Sequence, residues 1–329
     1  MSRWIVLSDQ TAALPADGLV DRGVFVLDVE QLPDQGAVLL DYQADVGWPR
    51  TLSVYCHPDA GLMILQRQGA AMIRHALPGP LPRGPGAARL TFGFDAPARI
   101  WTMQYEVMAG GVPLRASGTN PLPLRRDDLA AIGVGHNTNR HRVVSWFGVT
   151  VGMAPPAQCP WIGPNTPIDT PLGVIAAGQL RSGDLVMTDD GPQPLHAVTR
   201  HTLPCRGPFA PVLLRAPFFG NSRDLLVSAD QLVAISGPEV EYLFAEDEVL
   251  LPAAALIDHH RALPDLRRPE VTGVALRLGR PALLNADGCT LLMGSDRLLP
   301  LPCRVLEPYE ILPLIALLAP QARQSAARR

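Results

Sequence analysis

The chain contains no lysine; all 28 of its basic residues are arginine. That absence excludes Schiff-base chemistry, a P-loop lysine and a lysine general base together. Aromatic residues make up only 5% of the chain, which argues against a stacking platform for single-stranded nucleic acid. The formal net charge is −3 and no basic block occurs, so no nucleic-acid surface is expected. The five cysteines, Cys56, Cys159, Cys205, Cys289 and Cys303, are scattered, with no CxxC pair. An odd, dispersed set reads neither as a disulfide framework nor as a zinc knuckle, and no metal or other cofactor is expected. No run of 18 apolar residues exists, so no membrane partner is expected. The opening MSRWIVLSDQ holds one short apolar run, Trp4 to Leu7, ahead of Asp9. That is too short for a signal peptide, so the cytoplasm is the default expectation. Secretion without an N-terminal signal would leave no mark, and the compartment is otherwise unread.

What is present favours short strands. A length of 329 residues suits two domains. With 47% apolar and 18% charged residues, the chain can build a core and is not wholly disordered. Glycine (29) and proline (34) together supply about a fifth of the chain, which favours turns over long helices. Residues 1–150 alternate apolar runs with turn signals. Residues 23–27 and 37–42 read as strands. Residues 51–56 and 62–67 read as a hairpin joined by His57-Pro58-Asp59-Ala60-Gly61. Residues 78–86 hold four prolines and three glycines and form a loop. Residues 90–94 and 99–107 follow as strands. In the second, Trp101, Met103, Tyr105 and Val107 share one face, as a half-buried antiparallel strand requires. Residues 124–132 read as a short helix with Asp127-Asp128 at its N-cap, and 143–149 close the domain. This spacing predicts a mainly β chain that begins with a sandwich of jelly-roll or lectin-like type.

Residues 151–160, VGMAPPAQCP, carry three prolines and no apolar periodicity, and read as a linker. A second domain is placed at 161–305, with a C-terminal helix and tail at 306–329. Strands are expected near 166–170, 173–175, 185–188, 195–202, 210–216, 224–228, 231–235, 271–278 and 289–293. Asp189-Asp190-Gly191 and Asp287-Gly288 are turn signals. Residues 307–318 read as a helix kinked or split at Pro313.

Four ordered pieces of this second half share a pattern. They are Thr166-Pro167-Ile168-Asp169-Thr170-Pro171-Leu172-Gly173, Leu180-Arg181-Ser182-Gly183-Asp184-Leu185-Val186-Met187-Thr188, Gly220-Asn221-Ser222-Arg223-Asp224-Leu225-Leu226-Val227-Ser228 and Glu246-Asp247-Glu248-Val249-Leu250-Leu251-Pro252-Ala253. Leu256-Ile257-Asp258 continues the last. Together they resemble the Hint (hedgehog/intein) domain, in the bacterial form found in alphaproteobacteria. The resemblance implies an all-β, horseshoe-shaped domain. It also implies self-processing: a first cysteine attacks the preceding carbonyl, a thioester replaces the amide, and a T-x-x-H motif polarises the amide and protonates the departing amine. Such chemistry needs a nucleophile, a proton donor and a site that polarises the carbonyl.

Carried over residue by residue, the pattern departs at three places. The family cysteine falls on Trp161, whose indole cannot attack a carbonyl. T-x-x-H falls on Ser228-Ala229-Asp230-Gln231, which keeps a hydroxyl at Ser228 but puts Gln231 in place of the histidine. Pro281 stands where a later histidine is common. The expectation is therefore a degenerate Hint domain with a structural or interaction role and an unidentified protein or glycan partner. One alternative is self-cleavage between Gln158 and Cys159, with Cys159 as a displaced nucleophile, Ser228 polarising the amide and Asp230 or His201 as proton donor. Another is a carbohydrate-binding module in residues 1–150, for which the polar loop 136–142, with His136 and His141, is the support. Cys56, His57 and His75 read as turn and core residues, and His259-His260 as a solvated turn. No GxSxG, HExxH or EF-hand pattern occurs.

Overall fold

The computed structural model describes residues 3–9, 18–84, 86–108, 110–152, 159–295 and 299–326. The chain divides into two compact units, Met1–Ala157 and Gln158–Arg329.

The first unit is a sandwich of two antiparallel sheets. One sheet runs in the order Arg3–Leu7, Val144–Val151, Arg22–Val29, Ala88–Asp95, Ile100–Val107, Leu114–Thr119. The other runs Thr138–Arg140, Ala37–Ala44, Arg50–His57, Gly61–Gln68, Ala71–Pro78. Period-2 patterning makes the faces. Leu52, Val54 and Cys56 are buried on one strand, and Trp101, Met103 and Tyr105 on another, as the alternation predicts. These side chains meet Phe25, Leu27, Leu40, Ile64 and Phe92 in one core. Burying a side chain such as Ile64 contributes about 1.5–3 kcal/mol. In the expected hairpin, His57 Nδ1 accepts the backbone N–H groups of Asp59 and Ala60 at 3.2 and 3.3 Å.

Two details differ from the sequence reading. Thr138–Arg140, expected in a polar loop, pairs with Ala37–Ala44 as a sheet strand. The helix spans Arg126–Gly133 and its N-cap is Arg125, with no side-chain cap bond. Asp128 instead lies on the helix face turned toward the sheet. It accepts the Tyr42 hydroxyl at 2.7 Å, and its two oxygens each accept Arg50 Nε at 3.0 Å. A partly enclosed guanidinium is a stronger partner for a carboxylate than a helix N-terminus in water.

In the second unit one long sheet carries the core. Its order is Glu270–Leu278, Gly191–Pro204, Leu185–Thr188, Ala282–Ala286, Cys289–Ser295, Leu232–Ser236, Glu248–Pro252, Arg304–Val305. The first strand also pairs with the fifth, Arg277 to Gly294 and Leu278 to Ser295, so the sheet curls back on itself. A three-stranded sheet, Leu225–Val227, Val212–Leu214, Ala262–Pro264, and the hairpin Pro167–Thr170 with Gly173–Ala176 complete the β structure. Val186, Val227, Val233, Leu251, Val274 and Leu291 are central to its core. The helix Pro308–Ala326 runs through Pro313 without dividing. Proline forgoes one intrahelical hydrogen bond there, and the neighbouring Ile311 and Leu314 are buried in the core.

Candidate functional site

The site follows from how the chain enters the second unit. Ile162 bridges two strands at once, facing Val227 and Val274. Its N–H donates to the Val274 carbonyl at 3.0 Å and its carbonyl accepts the Val274 N–H at 2.8 Å. That double bridge fixes Trp161 beside the end of the strand Leu225–Val227. The Trp161 N–H then donates to Ser228 Oγ at 3.0 Å, and the Ser228 N–H donates to the Trp161 carbonyl at 2.9 Å. Ser228 thus clasps the main chain of Trp161 from both sides, at the amide where family chemistry would occur.

The indole of Trp161 is 3% exposed and lies on Gly273. A methyl group at 273 would collide with Trp161 Cγ, Cδ2 and Cε3. Here glycine is required by close approach rather than by backbone conformation. A glycine inside the strand pattern 271–278 is the sequence signal that could have revealed this seat. His201 is the direct cross-strand partner of Gly273. Cross-strand partners project on the same sheet face, so His201 shares the face that receives the indole.

Gln231 is 1% exposed and tethered. Its Nε2 donates to the carbonyls of Leu292 at 2.8 Å and Leu232 at 3.1 Å, and its backbone N–H closes a turn onto the Ser228 carbonyl at 3.1 Å. An amide at this position holds a strand; it has no proton to transfer near neutral pH. Pro281 immediately precedes the strand Ala282–Ala286, whose Leu283 lies opposite Leu292. Its ring supplies no proton.

Cys159 is half-buried, and Gln158 lies outside the described residues. Burial raises the Cys159 thiol above its ordinary pKa, the Asp230 charge raises it further, and Arg277 opposes the shift. The net direction lowers the thiolate fraction, the reverse of what an activated nucleophile needs. Asp230 is exposed.

The remaining candidates sit in the following local surroundings. Burial pushes the Cys56 thiol up to about 11 and the His75 imidazole down to about 4. His75 Nε2 bonds Gln66 Oε1 at 2.8 Å. His141 Nδ1 accepts the Val143 N–H at 3.3 Å, and the His136 carbonyl accepts the Thr138 hydroxyl at 2.9 Å. Asp258 caps the turn at His259-His260. Burial would raise its carboxyl, but the Arg261 guanidinium and the backbone N–H groups of His260, Arg261 and Ala262 hold it well below the usual range. Asp189 accepts the Leu283 N–H at 2.9 Å, Asp190 pairs with Arg280 at 3.0 Å, and Asp287 accepts the N–H groups of Ser222 and Arg223 at 3.0 and 2.9 Å. Among the described residues no group of three or more His, Cys, Asp or Glu side chains could hold a metal ion. No described helix is long and apolar enough to cross a membrane.

No curated protein matches the chain. Solved structures match at low similarity. The CBM40 module of the Ruminococcus gnavus IT-sialidase is 10% identical, with 42% of this chain and 79% of that chain covered and a TM-score of 0.31. The leech intramolecular trans-sialidase complexed with 2,7-anhydro-Neu5Ac is 11% identical, with 47% and 26% covered and a TM-score of 0.27. A SAP-like pentraxin from Limulus polyphemus is 12% identical, with 44% and 61% covered and a TM-score of 0.24. Likeness at that level carries no argument about function. A family model described as the Hint domain matches residues 162–291, a span that takes in Ser228, Gln231 and Pro281 and starts one residue after Trp161. This chain carries a Hint domain in residues 162–291.

Proposed function

We propose that this Hint domain is catalytically silent and serves a structural or interaction role. The observation that carries the reading is the Trp161 clasp. The Ser228 hydroxyl faces the amide of Trp161, and that residue presents a seated indole instead of a thiol. An N-to-S acyl shift forms a carbon–sulfur bond as the carbon–nitrogen bond breaks, and the departing amine must take a proton. Trp161 has no sulfur to give, and Gln231 has no proton to give. Self-cleavage before Cys159 would need a thiolate that burial and Asp230 both disfavour.

The test is the intact mass of the freshly purified chain, before and after incubation with excess dithiothreitol. One unchanged full-length mass is expected. Paired fragments cut at Gln158–Cys159 or at Pro160–Trp161 would overturn the reading. Loss of those fragments in Cys159→Ala would assign the cleavage to Cys159.

A further inference from the structure

A cleft of about 480 Å³ opens in the second unit between the loop 163–167, Leu213, Leu225 and the segment 265–272. Small-ligand sites typically span roughly 300–1,000 Å³. Prolines and aliphatic side chains form much of its wall, and six charged residues line it: Arg223, Arg267, Arg268, Asp224, Asp265 and Glu270.

By formal charge these six cancel, but they differ in which hydrogen-bond donors are already used. Asp265 holds Arg267 through Nε at 2.7 Å and Nη2 at 2.9 Å, which fixes that guanidinium in place. Asp224 accepts the backbone N–H of Ala216 at 3.0 Å. Among the described residues, Arg223 and Arg268 make no side-chain hydrogen bond or ion pair, and neither does Glu270. Arg267 is neutralised by Asp265, so the guanidiniums of Arg223 and Arg268, with their N–H donors unused, share the cleft with the carboxylates of Asp224 and Glu270. Guanidinium forks match carboxylate geometry with paired N–H donors. Cys205 also lines the cleft, but burial pushes its thiol up to about 11, so capture by thiol attack is not favoured.

We propose that this cleft binds a ligand presenting two or more carboxylates, with Arg223 and Arg268 as the donors and Asp224 and Glu270 limiting the affinity. The proposal deepens the interaction reading by naming what the partner presents, and it holds whether or not the chain cleaves itself.

The experiment is calorimetric titration of the full chain at low salt with two probes, citrate and a tetraglutamate peptide. Binding of at least one is expected, falling as salt is added. Citrate alone would identify a small polycarboxylic acid, and the peptide alone an acidic protein segment; either supports the site. The Arg223→Gln/Arg268→Gln double variant should weaken binding at least about tenfold. Glu270→Gln should tighten it, and Arg74→Gln, on the sandwich, should leave it unchanged. These side chains are exposed, and an unchanged melting curve verifies that each variant folds. Absence of binding by both probes overturns the proposal, as does binding that the double variant leaves intact.

Discussion

In the sandwich, Asp28 and Asp128 are buried carboxylates gripped by guanidiniums. Asp28 accepts Arg89 Nε at 2.8 Å and Nη2 at 3.0 Å, together with the Trp146 indole N–H at 2.7 Å. Around Trp161 in the Hint unit, the buried polar side chains are neutral and end on main chain. Ser228 bonds Trp161, Gln231 bonds Leu292, and Asn221 donates to the carbonyls of Leu214 and Arg223 at 3.1 and 2.7 Å. A buried ion pair fixes two side chains and is costly to break from one side. A side chain bonded to backbone fixes the path of the chain instead. The first unit concentrates its polar stability in a few ionic joints. The second has an ionic joint of its own, Arg261 with Asp258 at 2.6 Å, but around Trp161 it uses neutral polar side chains to hold the route by which its chain enters and turns.

The largest effect should come from breaking one ionic joint. Asp128→Ala leaves Arg50 and Tyr42 without their carboxylate and should cost about 3–5 kcal/mol. Urea unfolding should show the loss in the sandwich transition alone; a loss below about 1 kcal/mol would place its stability elsewhere. Acid should come next. The His75 pKa is about 4 in the folded chain against an ordinary 6.5, so unfolding takes up a proton between those values. Stability then falls as pH drops through that window, by up to about 3 kcal/mol. Melting temperature at pH 7 and pH 4.5 should show this in the wild type and a shallower slope in His75→Leu. An equal slope in both would remove His75 from the account. The smallest effect belongs to the Hint unit. Gly273→Ala drives a methyl into Trp161 and should cost about 1–3 kcal/mol. Combined with Trp161→Leu, the loss should be smaller than the sum of the two single changes, as coupled neighbours require. Strict additivity would mean that the seat is not shared.

Patterns local in sequence were the legible ones. Alternation gave the inner face of Ile100–Val107, and turn chemistry gave the hairpin at 57–61. The shared pieces of the second half identified the Hint domain because their polar residues close local loops. Asp184 accepts the Arg181 N–H at 2.8 Å, and Asn221 ties its own loop to Leu214. Contacts between distant segments were not legible. Asp128 looked like a cap because nothing nearby in sequence announces Tyr42 and Arg50 as its partners. That Trp161 stands at the head of the domain could be read from spacing, whereas its seat on Gly273 depends on the pairing of Ile162 with Val274. The cleft is not legible in the sequence because its six charges come from two distant segments, 223–224 and 265–270, that only the fold brings together.

The double bridge at Ile162 has a second consequence, for aggregation. The strand Glu270–Leu278 would otherwise present an open row of main-chain donors and acceptors, the kind of edge that recruits strands from other molecules. Ile162 occupies that row at Val274, and Gly294 and Ser295 occupy it at Arg277 and Leu278. The opposite end of the sheet closes on the two-residue strand Arg304–Val305, too short to template a partner. The residue that follows Trp161 therefore also shields the sheet from self-association, which ties the order of that junction to the solubility of the folded unit.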